Sequence, residues 1–147
     1  MSVYPYNSFD LLKQRVTETD MWNLAEMIQK LPLQKEFDVV EKKFLCAHAM
    51  ASDPLVWQPD DYYMMGNCDL DAFFLEGIDG YISLCGHTPT GNILWKNKGT
   101  YLDGYMKSTW YNQKENVYLL DCGCGFGGGR LACMCLETGD RFYSANM

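Results

Sequence analysis

Apolar residues Met21, Leu24, Ala25, Ile28 and Leu31 recur at helical spacing, with a hydroxyl cap available from Thr17 or Thr19 and a stop at Pro32, which predicts an amphipathic helix. The period then changes. "KEFDVVEKKFLCAHA" alternates around Phe37 and Val39, turns near Glu41 and runs apolar from Phe44 to Ala47, the pattern of a hairpin with one buried strand. His48 stands at its exit. Residues Asp53 to Asn67 are polar and aromatic without a clear period and read as a loop, and "DLDAFFLEG" reads as a short helix. "YISLC" is another short apolar run; it ends on Gly86 and delivers His87 into a Thr88-Pro89 turn. An aromatic connection carrying Trp95, Tyr101, Tyr105, Trp110 and Tyr111 follows and reads as covering loop and hairpin. "NVYLLDC" and "RLACMCLETGDRFY" then complete the chain as three strands, with Glu137-Thr138-Gly139-Asp140 as a turn.

Length and composition narrow the class. At 147 residues with 48% hydrophobic positions the chain has enough material for one domain with its own core, so 1-147 is read as a single α/β domain. Twelve basic against nineteen acidic residues give a net charge of −7, and no basic cluster exceeds Lys42-Lys43, which argues against a nucleic-acid polymer or a membrane surface as partner. Seven cysteines without a signal-peptide pattern suit reduced thiols and a cytoplasmic location.

Three motifs invite chemistry and are better read as structure. Gly123-x-Gly125-x-x-Gly128 matches the dinucleotide fingerprint in spacing, but a strand-like run follows it where that site needs a helix N-terminus; a glycine-rich crossing between strands is expected. Cys122-x-Cys124 and Cys133-x-Cys135 have one-residue gaps, shorter than structural zinc sites use, and in a strand such a gap puts both side chains on one face. The four are expected to be free. "GNCD", Gly66 to Asp69, is expected to be a turn.

The two histidines, His48 and His87, are the only ones in the chain, and their contexts recur together. "FLCAHA", "CGHTPT" and "LLDCGCGFGGGRLACMCLETGDRFY", in this order from about Leu31 to Tyr143, resemble the C-terminal half of calcineurin-like metallophosphoesterases. The nearest branch is the phosphoprotein-phosphatase type, with bacterial serine/threonine phosphatases and symmetrical diadenosine tetraphosphatases. The resemblance implies part of an α/β/β/α sandwich, with a mainly antiparallel or mixed sheet and a flanking helix. It implies that His48 and His87 bind divalent metal ions (Mn, Fe or Zn) in a two-metal centre, with Thr88 helping to set the turn. The substrate class it implies is a phosphoprotein or a nucleotide.

The family also uses an Asp-x-His block, a Gly-Asp-x-x-Asp block and a Gly-Asn-His-Asp/Glu block, and this chain has none of them. Cys46 and Cys85 stand where an Asp-x-His aspartate would be. "YNSF" near the start resembles the segment after the third block, and Trp57-Gln58-Pro59 stands where relatives often place an arginine after a tryptophan. The expected state is therefore a phosphoesterase part that is inactive alone and associates with its missing N-terminal half or with itself. The alternative is a binding module derived from a phosphatase, holding a partner through Trp95 to Tyr111.

Overall fold

Helix α1 (Glu18–Gln29) starts where the Thr17 hydroxyl accepts a hydrogen bond from the Asp20 amide at 3.2 Å and the Asp20 carboxylate accepts one from the Thr17 amide at 2.9 Å. This reciprocal pair satisfies two amides that no helical carbonyl can reach, so Thr17 rather than Thr19 is the cap. The Thr17 hydroxyl and amide also hold the Asp20 carboxyl below its ordinary pKa. Glu26 and Lys30 face each other one turn apart at 3.6 Å. The computed structural model describes residues 16–66, 70–94 and 96–145. The chain divides into two compact units, 1–32 and 33–147, with α1 in the first.

The second unit is built on a mixed six-stranded sheet with strand order β1-β2-β3-β6-β5-β4. β1 (Gln34–Val39) and β2 (Lys42–Ala47) form the predicted antiparallel hairpin, with Phe37 opposite Phe44 and the rings stacked at 5.7 Å. Its turn residues Val40 and Glu41 have φ of 46° and 63°, the left-handed conformation a two-residue hairpin needs, here without the usual Asn or Gly. From β2 the chain passes through α2 (Asp60–Met65) and α3 (Leu70–Glu76) before returning as β3 (Ile82–Cys85), parallel to β2. A parallel return needs such a long crossover. β4 (Gly99–Tyr101) and β5 (Trp110–Asn112) form the far edge, and β6 (Val117–Leu119) returns between β5 and β3, parallel to β3. β7 (Ala132–Met134) and β8 (Arg141–Tyr143) make a separate two-stranded sheet. The α/β class read from the pattern is present, with a mixed sheet.

Alternation along the strands divides the side chains between two faces. Leu45, Ala47, Cys85, Trp110, Val117 and Leu119 pack with Tyr62, Phe73 and Phe74 from the crossover helices into one buried core, and Phe74 meets Trp110 edge-to-face at 6.4 Å. On the other face Phe44 and Leu84 are buried, Tyr111 stacks on Tyr118 at 5.7 Å, and Met134 and Leu136 from the β7–β8 hairpin share a cavity with Phe44, Ile82, Leu84 and Tyr118. The hairpin therefore covers part of this second face.

Two stretches differ from the reading of the pattern. Residues read as loop contain α2, where Asp60 and Asp61 sit in the first turn and Gly66, with φ of 69°, closes the helix in the left-handed conformation. Six residues are too few to display a helical period. The aromatic connection, read as covering loop and hairpin, does form a hairpin, β4–β5, but as the far edge of the main sheet rather than as a cover, and Trp110 is fully buried in the core. Trp95, the "YNSF" segment and Asn67 to Asp69 lie outside the described residues. No helix among the described residues is long and apolar enough to cross a membrane.

Asn112 ties β5 to β6. It is fully buried; its Oδ1 accepts from the amides of Asn116 at 3.0 Å and Val117 at 3.1 Å, and its Nδ2 donates to Asn116 Oδ1 at 2.8 Å. Asn112→Ala leaves these buried amides without a partner, and the expected loss is about 2 kcal/mol in urea unfolding. The exposed neighbour change Gln113→Ala serves as the control and should stay near wild type; equal midpoints for the two variants would contradict the role given to Asn112.

Candidate metal centre

Three neighbouring strands, β2, β3 and β6, run parallel and end at one edge of the sheet. In open α/β sheets that edge is where side chains from distant sequence converge on a ligand. β2 delivers His48, β3 delivers Gly86 and His87, and β6 delivers Leu120 and Asp121. Backbone bonds carry the alignment past the strand ends: the Gly86 amide donates to the His48 carbonyl at 2.7 Å and the Leu120 amide to the Cys85 carbonyl at 2.8 Å.

His87 is held in an unusual way. Its φ is 65°, and the Thr88 amide donates to the Gly86 carbonyl at 2.7 Å, closing a three-residue γ-turn centred on the histidine. Only a few per cent of residues other than glycine adopt positive φ, and such residues concentrate at functional sites. The turn is anchored on its far side, where the Thr90 amide donates to the Asp121 carbonyl at 2.8 Å. Thr88 thus contributes its backbone amide to the turn.

The consequence is a pair of facing imidazoles. His48 Nε2 lies 3.1 Å from His87 Nδ1, with ring centroids 5.0 Å apart and planes at 71°. Both histidines are solvent-exposed on the wall of a cleft of about 370 Å³, together with Asp121, Cys122, Cys124 and Arg130. One nitrogen donates to the other when both rings are neutral. The spacing also suits a shared cation: two imidazole nitrogens about 2.0–2.1 Å from one ion, at bond angles of about 90–109°, lie roughly 2.9–3.4 Å apart. The pair therefore fits two adjacent positions around a single ion. Among the described residues no cluster of three or more His, Cys, Asp or Glu side chains is placed to hold a metal, so further ligands would have to come from elsewhere. Asp121 shares the edge, with its Oδ1 accepting from the Gly123 amide at 2.8 Å.

Other residues singled out in the sequence lie apart from the pair or in different surroundings. Gln58 lines a separate cavity with Ser52, Asp53, Tyr62 and Glu76, which removes it from the histidine cleft. Cys122, Cys124, Cys133 and Cys135 are free thiols. Cys122 is buried and Cys124 exposed, contrary to the one-face expectation, because both lie beyond β6 and Gly123, at φ of 78°, turns the chain between them. The glycine-rich segment is a crossing, as read: the Gly123–Arg130 bridge closes it, and a Cβ on Gly129 would stand 1.7 Å from the Gly123 carbonyl oxygen. Asp121 and Arg130 were missed. A weak signal for Asp121 was its place just past an apolar run, the position both histidines occupy.

Comparison of the chain with protein-family models, with curated proteins and with solved structures returns no match.

The strain at position 87 can be measured. Glycine adopts positive φ freely and alanine does not, so His87→Gly should be more stable than His87→Ala by roughly 1 kcal/mol, read from paired urea unfolding curves. Equal stability would mean the γ-turn is relaxed in solution.

Beneath the pair, burial pushes the Cys85 thiol up to about 12. It should resist iodoacetamide at neutral pH while exposed Cys124 and Cys133 react. A thiol that stays protonated in the fold but ionises near 9 when unfolded stabilises below pH 9, and this contribution is lost as pH rises from 9 toward 12. Cys85→Ala should flatten that alkaline decline, and an unchanged slope would contradict the assignment.

Proposed function

We propose that this chain is the histidine-bearing part of a metal-dependent phosphoesterase acting on a phosphoprotein or a nucleotide. The observation that carries the reading is the 3.1 Å approach of His48 Nε2 and His87 Nδ1, from two motifs 39 residues apart, at the carboxyl edge of parallel strands. The order of the three sequence blocks supports it, and so does the γ-turn that holds His87 in a conformation a structural histidine does not require.

His48 and His87 would hold a Mn, Fe or Zn ion through those two nitrogens, the Gly86–His48 backbone bond keeping their spacing. A bound divalent ion supplies a water made acidic enough to act as nucleophile near neutral pH and draws charge from the phosphoryl oxygens. The chain's own part is to fix the two imidazoles, to bring Asp121 to the same edge and to close the cleft floor with Leu84 and Cys85. Two neutral imidazoles supply no bridging carboxylate to hold a second cation and no acid for the leaving group. The reading therefore includes inactivity of the chain alone, completion by an N-terminal half or by self-association, and a cytoplasmic setting that keeps the thiols reduced.

The alternative, a binding module using residues 95–111, has less behind it. Within that segment Trp110 is fully buried, Tyr111 is stacked on Tyr118, and the Tyr101 hydroxyl donates to the Thr90 carbonyl at 2.7 Å. These aromatic groups are largely engaged by the fold.

The test is Mn²⁺ binding by calorimetry together with turnover of a phosphate monoester. The chain should bind Mn²⁺ weakly and lose it in His48→Ala and in His87→Ala. It should turn over no substrate until a segment carrying the three acidic and histidine blocks is added. Turnover by the chain alone that survives both alanine changes would sink the metal assignment.

A further inference from the structure

Among the described residues Arg130 is the one lysine or arginine on the wall of the histidine cleft, and it is held in a way no other described cation is. Its guanidinium carbon lies 4.0 Å from the centre of the Tyr143 ring and 4.8 Å from that of Tyr105. Tyr143 is itself fixed, donating to the Asp103 carboxylate and accepting from the Thr109 amide at 3.2 Å. The Arg130 backbone is fixed as well, its amide donating to the Cys122 carbonyl at 3.1 Å across the glycine crossing. Both ends of the side chain are thus restrained, and the planar fork loses little further freedom on binding.

The fork nevertheless has no anion. Among the described residues Arg130 makes no ion pair, and its Nη2 is buried without a hydrogen-bond partner. Other cations are committed: Lys107 donates to the Gly127 carbonyl at 2.8 Å, Lys114 pairs with Glu76, and Arg141 pairs with Asp103 at 3.4 Å. Asp103, which holds the Tyr143 hydroxyl, is taken by Arg141 and Tyr143. Ring faces offset part of the cost of a shielded charge, but they accept none of its directional N–H bonds. A buried donor without an acceptor is uncommon, because it forfeits a hydrogen bond it had in water.

We infer that Arg130 is the oxyanion-binding residue of the cleft and that its ligand is a phosphoryl group. Nη2 is shielded from solvent, so a tetrahedral dianion entering the cleft meets the guanidinium through its remaining N–H groups, in a charge-assisted bond stronger than a neutral one. Most of the cleft lining is Ala, Leu, Gly and Cys, and besides His48, His87 and Asp121 the charged group on the wall is Arg130, so a restrained cation in these surroundings weighs heavily in recognising an anion. The inference rests on reading the cleft as a phosphoesterase site, and it assigns the phosphate contact to a residue beyond the glycine crossing rather than to the segment after Trp57, which lines a different cavity.

The test titrates inorganic phosphate into the full chain in EDTA, following arginine side-chain N–H resonances by NMR, so that no metal ion contributes. Phosphate should shift the Arg130 signals. Arg130→Gln should weaken binding by at least roughly tenfold, as loss of a charge-assisted bond implies, and Arg130→Lys, which keeps the charge without the planar group stacked between the tyrosines, should recover only part of it. Parallel titrations with AMP and phosphoserine tell a nucleotide source of the phosphoryl group from a phosphoprotein one. Wild-type spectra unmoved by phosphate, or equal affinity in wild type and a folded Arg130→Lys, would overturn the inference. Mn²⁺ affinity is read separately in the same proteins: phosphate binding that depends on Arg130 while Mn²⁺ fails to bind would defeat the metal reading and leave this one standing.

Discussion

Parallel pairing of β2, β3 and β6 is the constraint from which the site follows. The pairing sets Leu45 beside Ser83 and Ser83 beside Val117, so the three strands run out at the same level. The next polar side chains, His48, His87 and Asp121, are released at one edge. Because side chains alternate faces along a strand, a slip of one residue would turn Leu45, Ser83 and Val117 out of the core and move the histidines with them. The core therefore enforces the spacing of the imidazoles. The long crossover through α2 and α3 makes the parallel pairing possible and also supplies Tyr62, Phe73 and Phe74, which bury its inner face.

Local strain then refines what the sheet places. Strand geometry would carry His87 straight past the edge; the γ-turn bends it back toward His48, and the Thr90–Asp121 backbone bond stops the turn from relaxing. A left-handed histidine costs stability of the order of 1 kcal/mol, which fits a site whose geometry matters more than its contribution to folding. Cys85, one turn residue below and fully shielded, shows how dry the floor of this edge is; its thiol is pushed up to about 12.

The remaining wall comes from the glycine crossing. Gly129 lies so close to the Gly123 carbonyl that no side chain fits, and this contact sets Arg130 down beside the cleft with its guanidinium between Tyr105 and Tyr143. The segment whose spacing imitates a dinucleotide fingerprint acts instead as a hinge-free corner between sheets. Two imidazoles and a restrained guanidinium therefore line one cleft.

Much of this was legible locally. The Thr17 cap, the turn at Val40-Glu41, the strands around Phe44 and Leu84 and the Glu137–Asp140 turn all depend on neighbours within a few residues, and the sequence carries those signals directly. The short helix at Asp60–Met65 was not legible, since six residues hold less than two turns of periodicity. The aromatic connection was legible as containing a hairpin but not as the far edge of the main sheet, because a three-residue strand is placed by its partner and not by its own alternation. The sequence by itself determined that two histidines leave two apolar runs and that a glycine-rich corner precedes Arg130. Only the tertiary structure decided that those runs are parallel neighbours, that Asp121 joins their edge and that Arg130 lines the same cleft, because strand pairing and ring stacking join residues that no short-range pattern connects.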